Sequence, residues 1–120
     1  MSKIYNDMIP KVLDKLHLDN KRKGYLYLKE TIELMHDERM TVVSDAYIMI
    51  ASRHHVTVSA IHSCIASCIR DGITHCPSKD KIEVFGSDVE VNRRNGRNYY
   101  TNVEFIIYVM NYLHEQIKKL

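Results

Sequence analysis

The chain has 120 residues, of which 45% are hydrophobic, and a formal net charge of +2. This length accommodates one globular domain and excludes a second, so we expect residues 1–120 to form a single domain. The net charge is too small to indicate a nucleic-acid-binding protein by itself. Whether the chain can contact phosphates depends on where its lysines and arginines cluster.

The first segment and the cysteines indicate the compartment. Charged residues interrupt the apolar ones from Met1 to Leu18, which excludes a signal-peptide core and a membrane span. Three cysteines are an odd number and form no even disulfide framework, which is typical of free thiols in a reducing compartment. We therefore expect a cytoplasmic protein that makes no contact with membranes.

Apolar residues at helical spacing predict two helices in the first third of the chain. The first is expected to start between Asn6 and Pro10, because proline interrupts a helix interior but suits a first turn. The second takes Asp19 or Asn20 as its cap and ends near Asp37.

Two further helices follow in the middle of the chain. One begins after Thr41, and the next runs from Val58 to Asp71 with Thr57 as its cap. Two glycines are interpreted by helix propensity alone. Gly24 is expected to weaken the second helix, and Gly72 is expected to end the fourth.

The pattern changes before the C-terminal helix. Apolar residues alternate with polar ones between Cys76 and Tyr100, which favours a short β-hairpin containing Ile82, Val84, Val89 and Val91. Thr101 followed by Glu104 predicts a capping box for a last helix. The stretch Val103–Leu113 is apolar on nearly every side, so this helix is either buried or shared with a partner.

The segment Thr41–Asp71 has the dimensions of a helix-turn-helix. Helices of roughly ten and fourteen residues are joined by a turn of about three to four, and in this motif the second helix enters the DNA major groove. Any helical hairpin in a bundle can share these dimensions, so plain helix packing remains the competing interpretation.

The chain resembles a known family, the DNA-binding effector domain of the sporulation-initiating response regulator. The resemblance rests on residues spread in one order over nearly the whole chain: Val12-Leu13, Lys23-Gly24-Tyr25-Leu26-Tyr27-Leu28, Tyr47, Ile50-Ala51, the turn around Thr57, Phe85-Gly86, Thr101-Asn102 and Glu104-Phe105-Ile106. It implies an all-α domain of five to six helices that binds a short box of double-stranded DNA, commonly as paired copies. It also implies contact with an RNA polymerase sigma factor.

The chain departs from this family in two respects. The family's phosphoacceptor receiver domain has no space in 120 residues, so we expect no phosphorylation switch in this chain. The family reads bases with arginines and a glutamate in the first turns of the recognition helix, and these positions fall on Ala60, His62 and Ser63. Because a bidentate arginine–guanine contact contributes roughly 1–3 kcal/mol of discrimination, base reading is expected to be altered or weakened.

The candidate contact residues form three groups. The residues expected to face DNA bases are Ser59, Ala60, His62, Ser63, Ser67 and Arg70. The residues expected to face phosphates are Lys21, Arg22, Lys23, Arg53, Arg93, Arg94 and Arg97. A homodimer face is expected on the last helix, formed by Val103, Ile107 and Met110.

Other chemistry is not favoured by the sequence. Cys64, Cys68 and Cys76 lie near His62 and His75, but they lack paired zinc-ligand spacing and are interpreted as small core residues. Neither a phosphate-binding glycine loop nor a nucleophile motif occurs in the sequence. We expect no enzyme activity, no metal and no cofactor.

Two hypotheses for function remain open. The first is a DNA-binding transcription regulator that inserts the helix Val58–Asp71 into the major groove. The second is a protein-interaction module that kept the fold and lost specific DNA reading. Its partner would be a transcription component such as sigma factor, a related regulator, or a second copy of the chain.

Overall fold

A computed structural model describes residues 2–89 and 100–120. Within these residues the chain is built from helices without a β-strand, which confirms the expected all-α class. None of the described helices is long and apolar enough to cross a bilayer. The helices are α1 Ser2–Lys15, α2 Lys23–Asp37, α3 Val43–His54, α4 Val58–His75, α5 Ser78–Phe85 and α6 Asn102–Lys118.

Helix α1 starts earlier than predicted and runs through Pro10. The predicted start between Asn6 and Pro10 is therefore wrong. A proline in a helix interior costs about 3 kcal/mol, but burial of each large aliphatic side chain contributes roughly 1.5–3 kcal/mol. Tyr5, Ile9 and Leu13 are almost completely buried on both sides of the proline, and their packing holds the helix together.

Helix α2 ends at Asp37 as predicted, but its start differs. Arg22 occupies the N-cap position, and no side chain among the described residues caps the helix. The Asp19 carboxylate instead accepts a hydrogen bond from the Lys21 amide at 3.0 Å. The predicted cap is therefore wrong, because Asp19 closes a turn ahead of the helix and leaves the first turn of α2 open.

Gly24 lies where α2 crosses α4. A Cβ atom at this position would lie 2.1 Å from the carbonyl oxygen of Cys64, far inside van der Waals contact. The glycine therefore permits the close approach of two helices, a role that helix propensity did not predict.

Gly72 has the same kind of role inside α4. The helix continues past it to His75 and stops before Pro77, so the predicted end at Asp71 is wrong. A Cβ atom on Gly72 would lie 2.7 Å from Cδ1 of Leu18 and 3.2 Å from the carbonyl oxygen of Leu16. The last turn of α4 is thus packed against the loop that follows α1.

The predicted β-hairpin is contradicted over its first half. Residues Ser78–Phe85 form helix α5, which has Asp80 in its first turn and ends at Gly86 in the left-handed region, with φ at 78°. Within it Ile82 is 50% exposed, whereas Val84 and Phe85 are buried, as expected for a helix with one face on the core. Helix-terminal signals outweighed the alternation of apolar residues. Val91 lies outside the described residues.

Helix α6 starts with the predicted capping box. The Glu104 amide donates to Oγ1 of Thr101 at 3.2 Å, and the Thr101 amide donates to Oε1 of Glu104 at 3.0 Å. One side of α6 is buried in the core through Phe105, Ile106, Val109 and Leu113. On the outward side Val103 is 45% exposed and Ile107 is 48% exposed.

Candidate nucleic-acid interface

Helices α3 and α4 are joined by the turn His55–Thr57. His55 adopts the left-handed conformation, with φ at 55°, and its amide donates to the carbonyl oxygen of Ser52 at 3.4 Å. The Val56 amide donates to the carbonyl oxygen of Ala51 at 3.0 Å, which closes the end of α3. This sharp turn between two helices has the length and connectivity expected of a helix-turn-helix.

The inner side of α4 fixes the helix in the domain. Oγ1 of Thr57 accepts a hydrogen bond from the Ala60 amide at 3.0 Å, so the predicted cap is confirmed. Ile61, Ile65 and Ile69 are buried with almost no exposed surface. The opposite side of α4 is therefore held rigidly at the surface.

We call that opposite side the outer face of α4 and define it by the predicted base-facing residues Ser59, Ala60, His62, Ser63, Ser67 and Arg70. Four of the six side chains are exposed, and Ala60 and Ser67 are half-buried. The face is made of short side chains and carries one permanent charge, on Arg70. Such a surface allows a groove wall to approach the helix closely but offers few strong donors.

His62 is positioned from α6. The buried Asn102 side chain donates to the His62 carbonyl oxygen at 3.0 Å, and its Nδ2 atom also lies 3.3 Å from Nδ1 of the His62 ring. The Tyr47 hydroxyl lies 3.3 Å from the same Nδ2 atom. If Nδ1 of His62 accepts, its ring proton is on Nε2, which can donate to a ligand. Sequence reasoning missed Asn102, because no local pattern links it to α4.

The open start of α2 lies beside the outer face of α4. A surface groove of about 360 Å³ separates them and is lined by Arg22, Lys23, Gly24, Ser63, Cys64 and Ser67. It brings together two predicted phosphate-facing residues and two predicted base-facing ones. The uncapped amides in the first turn of α2 add partial positive charge at the same place. We call this surface the α2/α4 groove.

Arg22 does not project freely into solvent. Its guanidinium group makes an ion pair with Asp71, and Nη2 donates to Oγ of Ser67 at 2.7 Å. Both partners belong to α4. Sequence reasoning missed Asp71, and the only signal available was its spacing of four residues from Ser67 on one helix side.

Arg53 is also engaged within the chain. Its Nη1 atom lies 2.6 Å from Oε1 of Glu30, and Nε2 of His54 lies 2.5 Å from Oε2 of the same carboxylate. Burial acts to raise the pKa of Glu30, but the hydrogen bonds from Arg53 and His54 outweigh it and hold the pKa below its ordinary value of 4.5. Arg53 is not among the residues that line the α2/α4 groove.

The remaining predicted contact residues divide by location. Lys21, Lys23 and Arg70 are exposed and make no ion pair within the described part of the chain. Arg93, Arg94 and Arg97 lie outside the described residues. The predicted dimer face is on α6, outside the α2/α4 groove. Its residues Val103, Ile107 and Met110 follow helical spacing; the first two are exposed and Met110 is half-buried.

The three cysteines are free thiols. Burial raises the pKa of the Cys68 and Cys76 thiols, which favours the protonated form rather than the thiolate that binds zinc. Within residues 2–89 and 100–120, no group of three or more histidine, cysteine or acidic residues has the arrangement of a metal site.

One comparison with known proteins gives a match. The family model described as sporulation initiation factor Spo0A C terminal matches residues 9–113, which is most of the chain. No curated protein and no solved structure matches the chain. The matched region contains the helix-turn-helix, the α2/α4 groove and most of α6.

Proposed function

The chain belongs to the sporulation initiation factor Spo0A C-terminal family of DNA-binding regulatory domains, and on that premise we propose that it binds double-stranded DNA through the outer face of α4. The observation that carries the proposal is the α2/α4 groove. Lys23, which makes no ion pair within the described residues, lies there beside the exposed second helix of a helix-turn-helix, and Lys21 precedes it by two residues.

Phosphate contacts would come from the start of α2. Lys21 and Lys23 are exposed, and the uncapped first turn of α2 presents amides that favour an anion. With α4 in the major groove, the neighbouring α2 terminus is the element that meets the DNA backbone. We propose that Arg70 of α4, which the sequence predicted to face bases, contacts a phosphate instead. Three phosphate contacts, from Lys21, Lys23 and Arg70, would give a slope of log affinity against log salt of about −2.7.

Base contacts would be few and neutral. Ser63 can donate to or accept from base edges, Ala60 can touch a thymine methyl, and His62 can donate through Nε2. None of them supplies the bidentate bond that an arginine makes to guanine. We therefore propose weak sequence preference built on nonspecific phosphate binding, in the cytoplasm where the thiols remain reduced.

A protein-interaction role is the second candidate, and one observation favours it. Val103 and Ile107 are nearly half exposed on α6, although that helix is otherwise anchored in the core. A second copy of the chain, sigma factor or a related regulator could cover this side of α6. A homodimer would also present two copies of α4 to paired half-sites on DNA.

The test of DNA binding is a fluorescence-anisotropy titration of random duplex DNA at two or more salt concentrations. The variant Lys21→Ala plus Lys23→Ala removes two proposed contacts and should flatten the salt slope by about 1.8. The matched control is Lys118→Ala plus Lys119→Ala, which removes the same charge at the far end of α6 and should leave the slope nearly unchanged. No binding at low salt would refute the proposal.

The dimer is tested separately by sedimentation equilibrium. Replacing Ile107 by Lys puts a charge on the outward side of α6 and should convert a dimer into a monomer while the fold is retained. A wild-type chain that stays monomeric at high concentration would refute the dimer.

A further inference from the structure

Arg22 is held by two residues of the helix that is proposed to read DNA. Ser67 and Asp71 are one helical turn apart on α4, and the Arg22 guanidinium group bridges them from a position 45 residues away from Ser67. We propose that this contact is a latch: Asp71 and Ser67 hold Arg22 in a closed position that DNA must open to gain its charge. This inference rests on the proposed DNA binding and concerns the regulation of the same surface.

The closed geometry occupies the atoms that an arginine uses for recognition. Arginine binds a phosphate or a guanine best through two parallel N–H groups. In the closed position Nη1 faces the Asp71 carboxylate and Nη2 donates to the Ser67 hydroxyl at 2.7 Å. A bidentate contact with DNA through these two nitrogens therefore requires release from α4.

The charges of the Arg22–Asp71 ion pair also lower the affinity for DNA. The Asp71 carboxylate neutralises Arg22 at the edge of the α2/α4 groove, and its side chain is 58% exposed, so it also repels an approaching phosphate. Ion pairs at such exposure are weak. The latch thus lowers the DNA affinity several-fold without abolishing binding, and a phosphate can displace the carboxylate.

The Ser67 side chain has two roles: it binds Arg22 in the latch, and it is one of the residues proposed to face DNA. Its hydroxyl belongs to the outer face of α4, and while it accepts from Arg22 it is less available to a base edge. Opening the latch would therefore release one cationic side chain and one hydroxyl group together.

An alternative with the same geometry predicts the opposite sign. Asp71 could instead orient Arg22 toward DNA, and its removal would then weaken binding. The direction of the affinity change on removing the Asp71 carboxylate decides between the two.

The experiment compares Asp71→Asn with the matched control Glu115→Gln on the same random duplex. Both variants lose one exposed carboxylate from an exposed ion pair, since Glu115 pairs with Lys118 on α6 at 3.4 Å. We expect Asp71→Asn to bind roughly two- to fivefold more tightly at low salt, with a salt slope steeper by about 0.9. The control should change neither quantity beyond the small effect of net charge.

A double substitution isolates the role of Arg22. Most of the gain caused by Asp71→Asn should disappear when Arg22→Ala is present in both backgrounds, because only relief of the carboxylate's own repulsion then remains. Circular dichroism establishes that each variant is folded.

Several outcomes would overturn the latch. One is unchanged or weaker binding by Asp71→Asn while the wild type binds normally. Another is a gain of the same size in the presence of Arg22→Ala. If neither wild type nor Asp71→Asn binds at low salt, the proposed DNA binding itself fails and the latch falls with it. Binding by Asp71→Asn alone would overturn the latch as proposed, because a several-fold effect cannot abolish binding of the wild type at low salt.

Discussion

The two sides of α4 differ in what they tolerate. The inner side is closely packed through Ile61 and Ile65, and beside the α2/α4 groove the backbone of α4 at Cys64 approaches Gly24 of α2 so closely that no Cβ fits. The outer face carries exposed short side chains such as Ser59 and Ser63. The difference teaches that the residues that stabilise the domain and those proposed to contact DNA lie on opposite sides of one helix, so that most substitutions on one side should leave the other unchanged.

The largest effect on stability is expected at Gly24, where α2 meets α4 beside the α2/α4 groove. Gly24→Ala adds a methyl group that overlaps the carbonyl oxygen of Cys64, and backbone cannot move aside cheaply. We expect a loss of about 3 kcal/mol or more in the free energy of unfolding, measured by urea denaturation. A loss under about 1 kcal/mol would mean that α2 and α4 are not packed this closely.

Glu30 is on α2 and contacts Arg53 and His54 of α3, so its substitution tests stability away from both sides of α4. Glu30→Gln removes the charge that binds Arg53 and His54, and should cost about 2 kcal/mol. The matched control is Glu33→Gln, which breaks only the surface pair with Lys29 and should cost about 0.5 kcal/mol or less. Equal losses in the two variants would contradict this account.

The Glu30 contribution also has a defined pH dependence. Its pKa in the folded chain is below its ordinary value of 4.5, so the stability it supplies is complete above that value. It is lost as the pH falls through the lowered pKa. The difference in unfolding free energy between wild type and Glu30→Gln should therefore shrink on acidification, and a constant difference would contradict the assignment.

Gly72→Ala should have a smaller effect than Gly24→Ala. The added Cβ atom would meet mainly the end of the Leu18 side chain, which can shift, and alanine improves helix propensity. We expect a loss of about 1 kcal/mol in the same denaturation experiment. A loss as large as that of Gly24→Ala would show that the loop after α1 is as rigid as a helix.

The smallest effect on stability is expected on the outer face. Ser63→Ala removes an exposed hydroxyl group and should change the free energy of unfolding by less than about 0.5 kcal/mol. The same substitution should weaken DNA binding roughly fivefold if the hydroxyl contacts DNA. Loss of stability without loss of binding would reverse the assignment of the two sides.

Features that depend on a local or periodic sequence pattern could be predicted from the sequence. The caps at Thr57 and Thr101 are local, so both were predicted correctly. Cys68 and Cys76 are buried core residues as predicted, whereas Cys64 is half-buried and lines the α2/α4 groove. Helix α5 was misread because alternating apolar residues also fit a short helix with one buried face. Pro10 was misread because tertiary packing outweighed its local cost.

The parts that failed depend on contacts between distant segments. Gly24 and Gly72 look like weak helix positions until the neighbouring backbone is known. The phosphate-facing role of Arg22 stays a prediction, but its partners Ser67 and Asp71 could not be predicted because they are on a helix far along the chain. The buried side of a helix can therefore be predicted from the spacing of its apolar residues. The ion pairs and hydrogen bonds of its exposed side can be identified only once the three-dimensional structure is known.

The most direct measurement is the mapping of amide NMR shifts during titration with a short duplex at low salt. We predict that the largest changes fall on the outer face of α4, at Ser63 and Ser67, and on the start of α2 at Lys23. The outward residues Val103 and Ile107 of α6 should change little at constant protein concentration. Changes confined to α6, or no changes at all, would contradict DNA binding through α4.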